Sequence, residues 1–241
     1  MSISKSKDRK RKWLIAQERE RGWWRGYLGS ERQKSMRKIL KARALFFENY
    51  IKMNRIELKP YVKILEIGGA GEPVVNFFGF GGKYALDPLA QDYKSLFADL
   101  YKDNCLVRGK AEFLPFTESC FDIVIILNAL DHCGNPYKVL VEIGRVLKHN
   151  GVILLSLNVT SSAAVLFRNI LLKPILRRKY PDYMQHPYHF SVKQAIHLVK
   201  REFEVISVLK DCHYMLSPAK DLKNFLREPS VLFLVGKKLS T

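Results

Sequence analysis

Apolar residues change their spacing once along this 241-residue chain, and the change falls near Pro60. Before it, Met36, Leu40, Ala44, Phe47 and Ile51 recur at intervals of three and four, which puts them on one stripe of a helix whose other face is basic. Further upstream, Trp13, Ala16, Trp23, Trp24, Tyr27 and Leu28 are punctuated by Gly22, Gly26 and Gly29, a pattern that predicts short helical pieces. Residues 1–12 show no apolar periodicity and read as a mobile end.

After Pro60 the apolar residues come in short runs: 62–67 (VKILEI), 83–87 (KYALD), 121–128 (FDIVIILN) and 151–158 (GVILLSLN). These are too short for helices and apolar on both faces, as strands covered by helices on each side must be. Helical segments are expected over 89–102 and 135–148, the second stopped by Lys148-His149-Asn150-Gly151. Two more strands are read at 203–209 and 230–238. Strands alternating with helices predict an α/β fold with a doubly wound, mostly parallel sheet. The division at Pro60 gives a basic, aromatic helical extension over 1–59 and an α/β domain over 60–241, with 161–190 as an insertion after the strand that ends near Asn158. An insertion of that length in a compact domain is usually functional, often a lid or substrate wall.

Composition adds three constraints. The net charge is +18, and residues 1–60 carry +12 of it, so the basic character belongs mainly to the extension, as an anion-binding surface or as a solubilising tail. Cys105, Cys120, Cys133 and Cys212 show neither CxxC pairing nor zinc-site spacing and read as reduced core thiols, which with the lack of an export segment points to the cytoplasm. No run reaches the roughly 20 apolar residues that a membrane span needs.

The chemistry begins where the first strand runs into Glu66-Ile67-Gly68-Gly69-Ala70-Gly71-Glu72-Pro73. Glycines there permit a tight turn and close approach of a ligand to bare backbone, and Pro73 suits the first turn of a following helix. The GxGxxG dinucleotide fingerprint is not met, since Val74 stands where its third glycine belongs. Asp87 ends the second strand 21 residues after Glu66, where a carboxylate can accept hydrogen bonds from both hydroxyls of a ribose. The plainer reading of both acids is a helix cap for Glu66 and an Asp-Pro turn for Asp87.

Two later segments join these: Gly109-Lys110-Ala111-Glu112-Phe113-Leu114-Pro115-Phe116, and Leu130-Asp131-His132 after the fourth strand. With these four elements in order, the chain resembles the class I S-adenosylmethionine-dependent methyltransferases over roughly residues 62–158. The resemblance implies a Rossmann-like sheet of seven strands and S-adenosylmethionine as cofactor. It further implies that Glu66 meets the cofactor's methionine end, that Gly68, Gly69 and Gly71 leave room for it, that Asp87 holds the ribose, and that Ala111 and Glu112 border the adenine. Asn128, at the end of the fourth strand, completes that set. The chain departs from the family at Ala70 and Glu72, where many members have glycine, and at Lys110, where many have an aspartate near the adenine amino group.

Methyl transfer from a sulfonium is an in-line displacement that requires no metal, so the protein's task is alignment and exclusion of water. An oxygen acceptor also has to lose a proton, and His132 and His189 are the two general-base candidates. The leading expectation is a small-molecule acceptor, on oxygen, with a sugar or glycan precursor as the class that the tryptophan-rich and HPYHF segments resemble. Arg177, Arg178 and Lys179 would suit an anionic acceptor. RNA methylation is the alternative that the basic N-terminus favours, although no RNA-binding module is recognised. A non-catalytic protein that binds the cofactor on the same fold is the third reading.

Overall fold

The short apolar runs form the strands that their pattern predicts. The computed structural model describes residues 3–27, 30–53, 61–69, 71–96, 105–160, 188–211 and 230–239. Among the described residues eight strands form one sheet: β1 (Lys63–Ile67), β2 (Gly82–Asp87), β3 (Cys105–Arg108), β4 (Phe121–Leu127), β5 (Leu147–Thr160), β6 (Phe190–Ser191), β7 (Phe203–Asp211) and β8 (Ser230–Lys238). Their order is β3-β2-β1-β4-β5-β8-β7, with β6 pairing the end of β5 off this path. Pairing is parallel except along β8, which runs antiparallel to both β5 and β7. The fold is therefore the Rossmann-like α/β architecture, with the two-residue β6 added to the expected seven strands.

Strand residues alternate between two cores, as a doubly wound sheet requires. One face presents Ile64, Ile123, Ile125, Val152 and Leu154 to α2 (Glu31–Met53), whose predicted stripe supplies Leu40, Ala44, Phe47 and Ile51. The other presents Leu65, Ile67, Val124, Ile126, Ile153 and Leu155 to α4 (Pro136–Val146) and α5 (Val192–Val199). Each fully buried side chain of this kind contributes about 1.5–3 kcal/mol. Both covering helices are capped as their sequences direct: Asn135 Oδ1 accepts from Lys138 N at 3.2 Å, and Ser191 and Gln194 form a reciprocal capping box. Ser191, the last residue of β6, is thus the N-cap of α5.

Three expectations need correction. The N-terminus is one helix, α1 (Ile3–Tyr27), and residues 3–12 belong to it. Its glycines were read as interruptions, but a Cβ at Gly22 or Gly26 would meet nothing within 4 Å, so they permit no special contact and only weaken the helix. Packing overrides that weakness: Trp24 and Tyr27 are buried against Ala85, Leu89, Ala90, Tyr93 and Leu106, and Arg21 Nε lies 3.0 Å from Asp92 Oδ1 of α3 (Ala90–Leu96). Trp23 stays 40% exposed, stacked on Tyr27. Second, α4 ends at Val146, and the residues read as its stop form an irregular start to β5, with Asn150 at φ 65°. The pairing jumps from Phe121↔Leu147 to Ile123↔Val152, which leaves 148–151 as a bulge. Third, Cys105 is exposed and so is no core residue, whereas Cys120 and Cys133 are partly buried and pack against the core; all three are free.

The described part of the 89–102 helix is α3. Most of the 161–190 insertion, including Arg177, Arg178, Lys179 and His186, lies outside the described residues, as do Cys212 and His213. No helix among the described residues is long and apolar enough to cross a membrane.

Candidate functional site

Parallel strands deliver their carboxyl ends to one edge of the sheet, and β1, β2 and β4 end side by side there. After β1 the chain turns through Gly68, whose N–H donates to Leu86 O at 2.9 Å and whose φ is 73°. A Cβ at Gly68 would sit 2.6 Å from that of Ala129, so both backbone conformation and space demand glycine. Gly68→Ala is expected to lower the unfolding free energy by about 2 kcal/mol through left-handed strain and that clash, as a urea titration would measure.

Glu66 and the following glycines lie behind the turn. Val75 N donates to Glu66 Oε2 at 2.7 Å, so the buried carboxylate ties down the 3₁₀ turn Val74–Phe77, which stands where a longer helix was expected after Pro73. Burial raises its pKa to about 7, against the opposing pull of the Val75 and Val74 N–H groups and of Arg43. A Cβ at Gly69 would meet Pro73 at 2.7 Å and this carboxyl group at 3.2 Å, while Gly71 is buried. Glu72, one of the departures from the family pattern, is buried too, with Arg37 Nε of α2 2.7 Å from its Oε1. Burial raises its pKa, and Arg37 and the Tyr27 hydroxyl oppose the rise. The two N-terminal helices thus bracket the loop.

A cleft opens in front of Gly68. Ile67, Gly68, Leu86, Asp87 and Pro88 line it from β1 and β2, Lys110, Ala111 and Glu112 from the loop after β3, and Asn128, Ala129, His132 and Cys133 from the end of β4. Asp87 also makes the turn that its sequence suggested, since Leu89 N donates to Oδ1 at 2.8 Å. Asn128 takes a left-handed φ of 49°, with its N–H on Ser156 O and its Oδ1 accepting from Ser156 Oγ at 3.3 Å. Glu112 Oε1 accepts from Gly134 N at 2.6 Å and Asn135 N at 3.2 Å, which fastens the Ala111 loop to the segment after His132. The Leu114-Pro115-Phe116 part of the same loop is clamped by α4: Leu114 N donates to Glu142, and Arg145 donates to the carbonyls of Leu114 and Phe116.

His132 closes the 3₁₀ turn Leu130–His132, half-buried, with its N–H on Ala129 O at 3.1 Å. The Cys133 thiol beside it is pushed up by burial and by Glu112 and Asp131, so it stays neutral and is no nucleophile. His189 is elsewhere, in a hollow with Tyr188, Phe190, Gln194, His197 and Arg201. Of the ten residues singled out from sequence, the structure gathers Gly68, Asp87, Ala111, Glu112, Asn128 and His132 in one cleft, leaves Glu66, Gly69 and Gly71 out of its lining, and puts His189 in another hollow. The sequence missed Gln17 and Glu20 of α1, which complete the cleft.

Residues 68–155 match the family described as "Methyltransferase domain". Over 113 residues the chain is 30% identical to the sterol 24-C-methyltransferase ERG6B of Gibberella zeae, covering 44% of this chain and 30% of that one. It is 31% identical over 107 residues to the glycine/sarcosine/dimethylglycine N-methyltransferase of Actinopolyspora halophila, covering 44% and 18%. The chain thus spans less than a third of the length of these relatives. A solved geranyl diphosphate methyltransferase in complex with SAM superposes with a TM-score of 0.60 at 9% identity, covering 83% of this chain and 85% of that one. Residues 68–155 thus match a methyltransferase domain, and the chain shares the fold of the solved methyltransferase.

Proposed function

We propose that this protein transfers the methyl group of S-adenosylmethionine to an oxygen of a small-molecule acceptor, with a sugar or glycan precursor as the favoured class. The observation that supports this most is the convergence of Gly68, Asp87, Ala111 and His132 on one cleft at the carboxyl edge of the sheet. Its residues fit the cofactor: Gly68 lines the cleft without a side chain, and Asp87 offers a carboxylate to a ribose. When bound, the cofactor supplies an electrophilic methyl group on a sulfonium. The chain's own part is to orient the acceptor, exclude water and move one proton. A ring nitrogen of His132, in the cleft, takes that proton from the acceptor hydroxyl, which favours His132 over His189. A neutral amine would need no such base.

Asp87→Ala is expected to weaken binding of S-adenosylmethionine and of S-adenosylhomocysteine about tenfold, a loss of roughly 1.5 kcal/mol for charge-assisted hydrogen bonds. Calorimetry on the purified chain checks this, and undetectable binding by the unaltered chain at millimolar cofactor would remove the reading. The acceptor is found by supplying methyl-labelled cofactor with separated glycan, metabolite, lipid and nucleic-acid fractions. Label entering RNA alone would overturn the small-molecule class.

A further inference from the structure

The cleft has a wall that the strand ends do not provide. Gln17 and Glu20 reach it from α1, and with Trp24 they fall at positions i, i+3 and i+7, on one side of that helix. Trp24 is 8% exposed, with its ring 5.9 Å from that of Tyr93, and its Nε1 donates to Glu20 Oε1 at 2.9 Å. The Arg21–Asp92 pair pins the adjacent turn to α3. Glu20 is therefore held over the cleft by an anchored indole, whereas an ordinary exposed glutamate would swing into water.

We infer that Glu20 accepts a hydrogen bond from the exocyclic amino group of the cofactor's adenine, with Trp24 as its positioning residue. This rests on the proposed use of S-adenosylmethionine. A bound adenosine presents two kinds of strong donor, the ribose hydroxyls and that amino group, and each group buried by binding needs a partner. Asp87 lies at the end of β2, where the ribose is placed. Lys110, as an ammonium, has no acceptor to offer. Glu112 Oε1 is already engaged by two backbone N–H groups. Glu20 is the remaining carboxylate of the lining. Its Oε2 makes no hydrogen bond among the described residues, so ligand entry would desolvate that oxygen without compensation unless the ligand brings a donor.

The test compares S-adenosylhomocysteine with its deaminated analogue, S-inosylhomocysteine, by calorimetry on the full chain and its variants. The unaltered chain is expected to prefer the adenosine form by at least about fivefold, and Glu20→Ala to abolish that preference. Trp24→Phe keeps the buried ring, removes the indole N–H, and is expected to lose part of the preference in the wild-type background and none in the Glu20→Ala background. S-adenosylmethionine and S-adenosylhomocysteine should weaken equally, because the partner is the base and not the sulfonium charge. The inference is overturned if Glu20→Ala leaves the preference intact, weakens both nucleosides equally, or weakens S-adenosylmethionine alone. Retained binding that falls in Asp87→Ala but not in Glu20→Ala sinks this inference and leaves the methyltransferase reading standing. No binding by the unaltered chain sinks both.

Discussion

His132→Ala is expected to lower turnover at least about 100-fold while cofactor affinity stays within about twofold. The backbone around it should survive, because the turn is held by main-chain bonds, His132 N to Ala129 O and Cys133 N to Leu130 O, and not by the imidazole alone. The two described titratable groups nearest in sequence to His132 on the cleft wall are poor substitutes: the Cys133 thiol is pushed up by burial, and Glu112 Oε1 accepts from the Gly134 and Asn135 amides. Steady-state kinetics with the acceptor identified by labelling make the measurement, with His189→Ala as the control. His189 lies in a separate hollow, so its variant should keep near-normal turnover. Near-normal turnover of His132→Ala across pH would return His132 to a structural role and transfer attention to amine or carbon acceptors.

Much of this architecture is legible along the chain because its signals are local. The α2 stripe has helical spacing, and the strands are unbroken apolar runs, so each can be read within a ten-residue window. β3 escapes such reading because only Leu106 of its four residues is buried and its one strand neighbour is β2. α1 escapes it for a different reason. Its low intrinsic preference around Gly22 and Gly26 is overridden by contacts between Trp24 or Tyr27 and residues such as Leu89 and Tyr93, some sixty positions away. The candidate site divides the same way. Gly68, Asp87 and Asn128 can be found because strand ends in a parallel sheet converge, whereas Gln17 and Glu20 reach the cleft only through the docking of α1. Their one local signal is the helix face that they share with Trp24. The same reading made His132 and His189 rivals, since nothing in the spacing shows that one lines the cleft and the other does not.

The folded chain, free of cofactor, is expected to lose about 2.5 kcal/mol of stability between pH 5 and pH 8 on account of Glu66. Its carboxyl group has a pKa near 4.5 when exposed and about 7 when folded, the rise coming from burial. The folded state therefore binds the proton more tightly than the unfolded state does. For a group raised in this way the contribution is full below the unfolded value and lost as pH climbs through the folded one, so this term makes the protein more stable in acid. Glu72, also raised by burial, acts in the same direction. Glu142 is lowered, mainly by its bond to Arg145, and its contribution is lost only in acid, largely below this window. A Gln at position 66 keeps an oxygen for Val75 N and cannot titrate, so Glu66→Gln isolates the effect from Glu72 and the rest. Urea unfolding at pH 5, 6, 7 and 8 should show a fall in the parent that the variant largely lacks. Parallel profiles for the two proteins would mean that Glu66 is ionised throughout, its charge fully met by the Val74 and Val75 amides and Arg43, and the burial argument would fail.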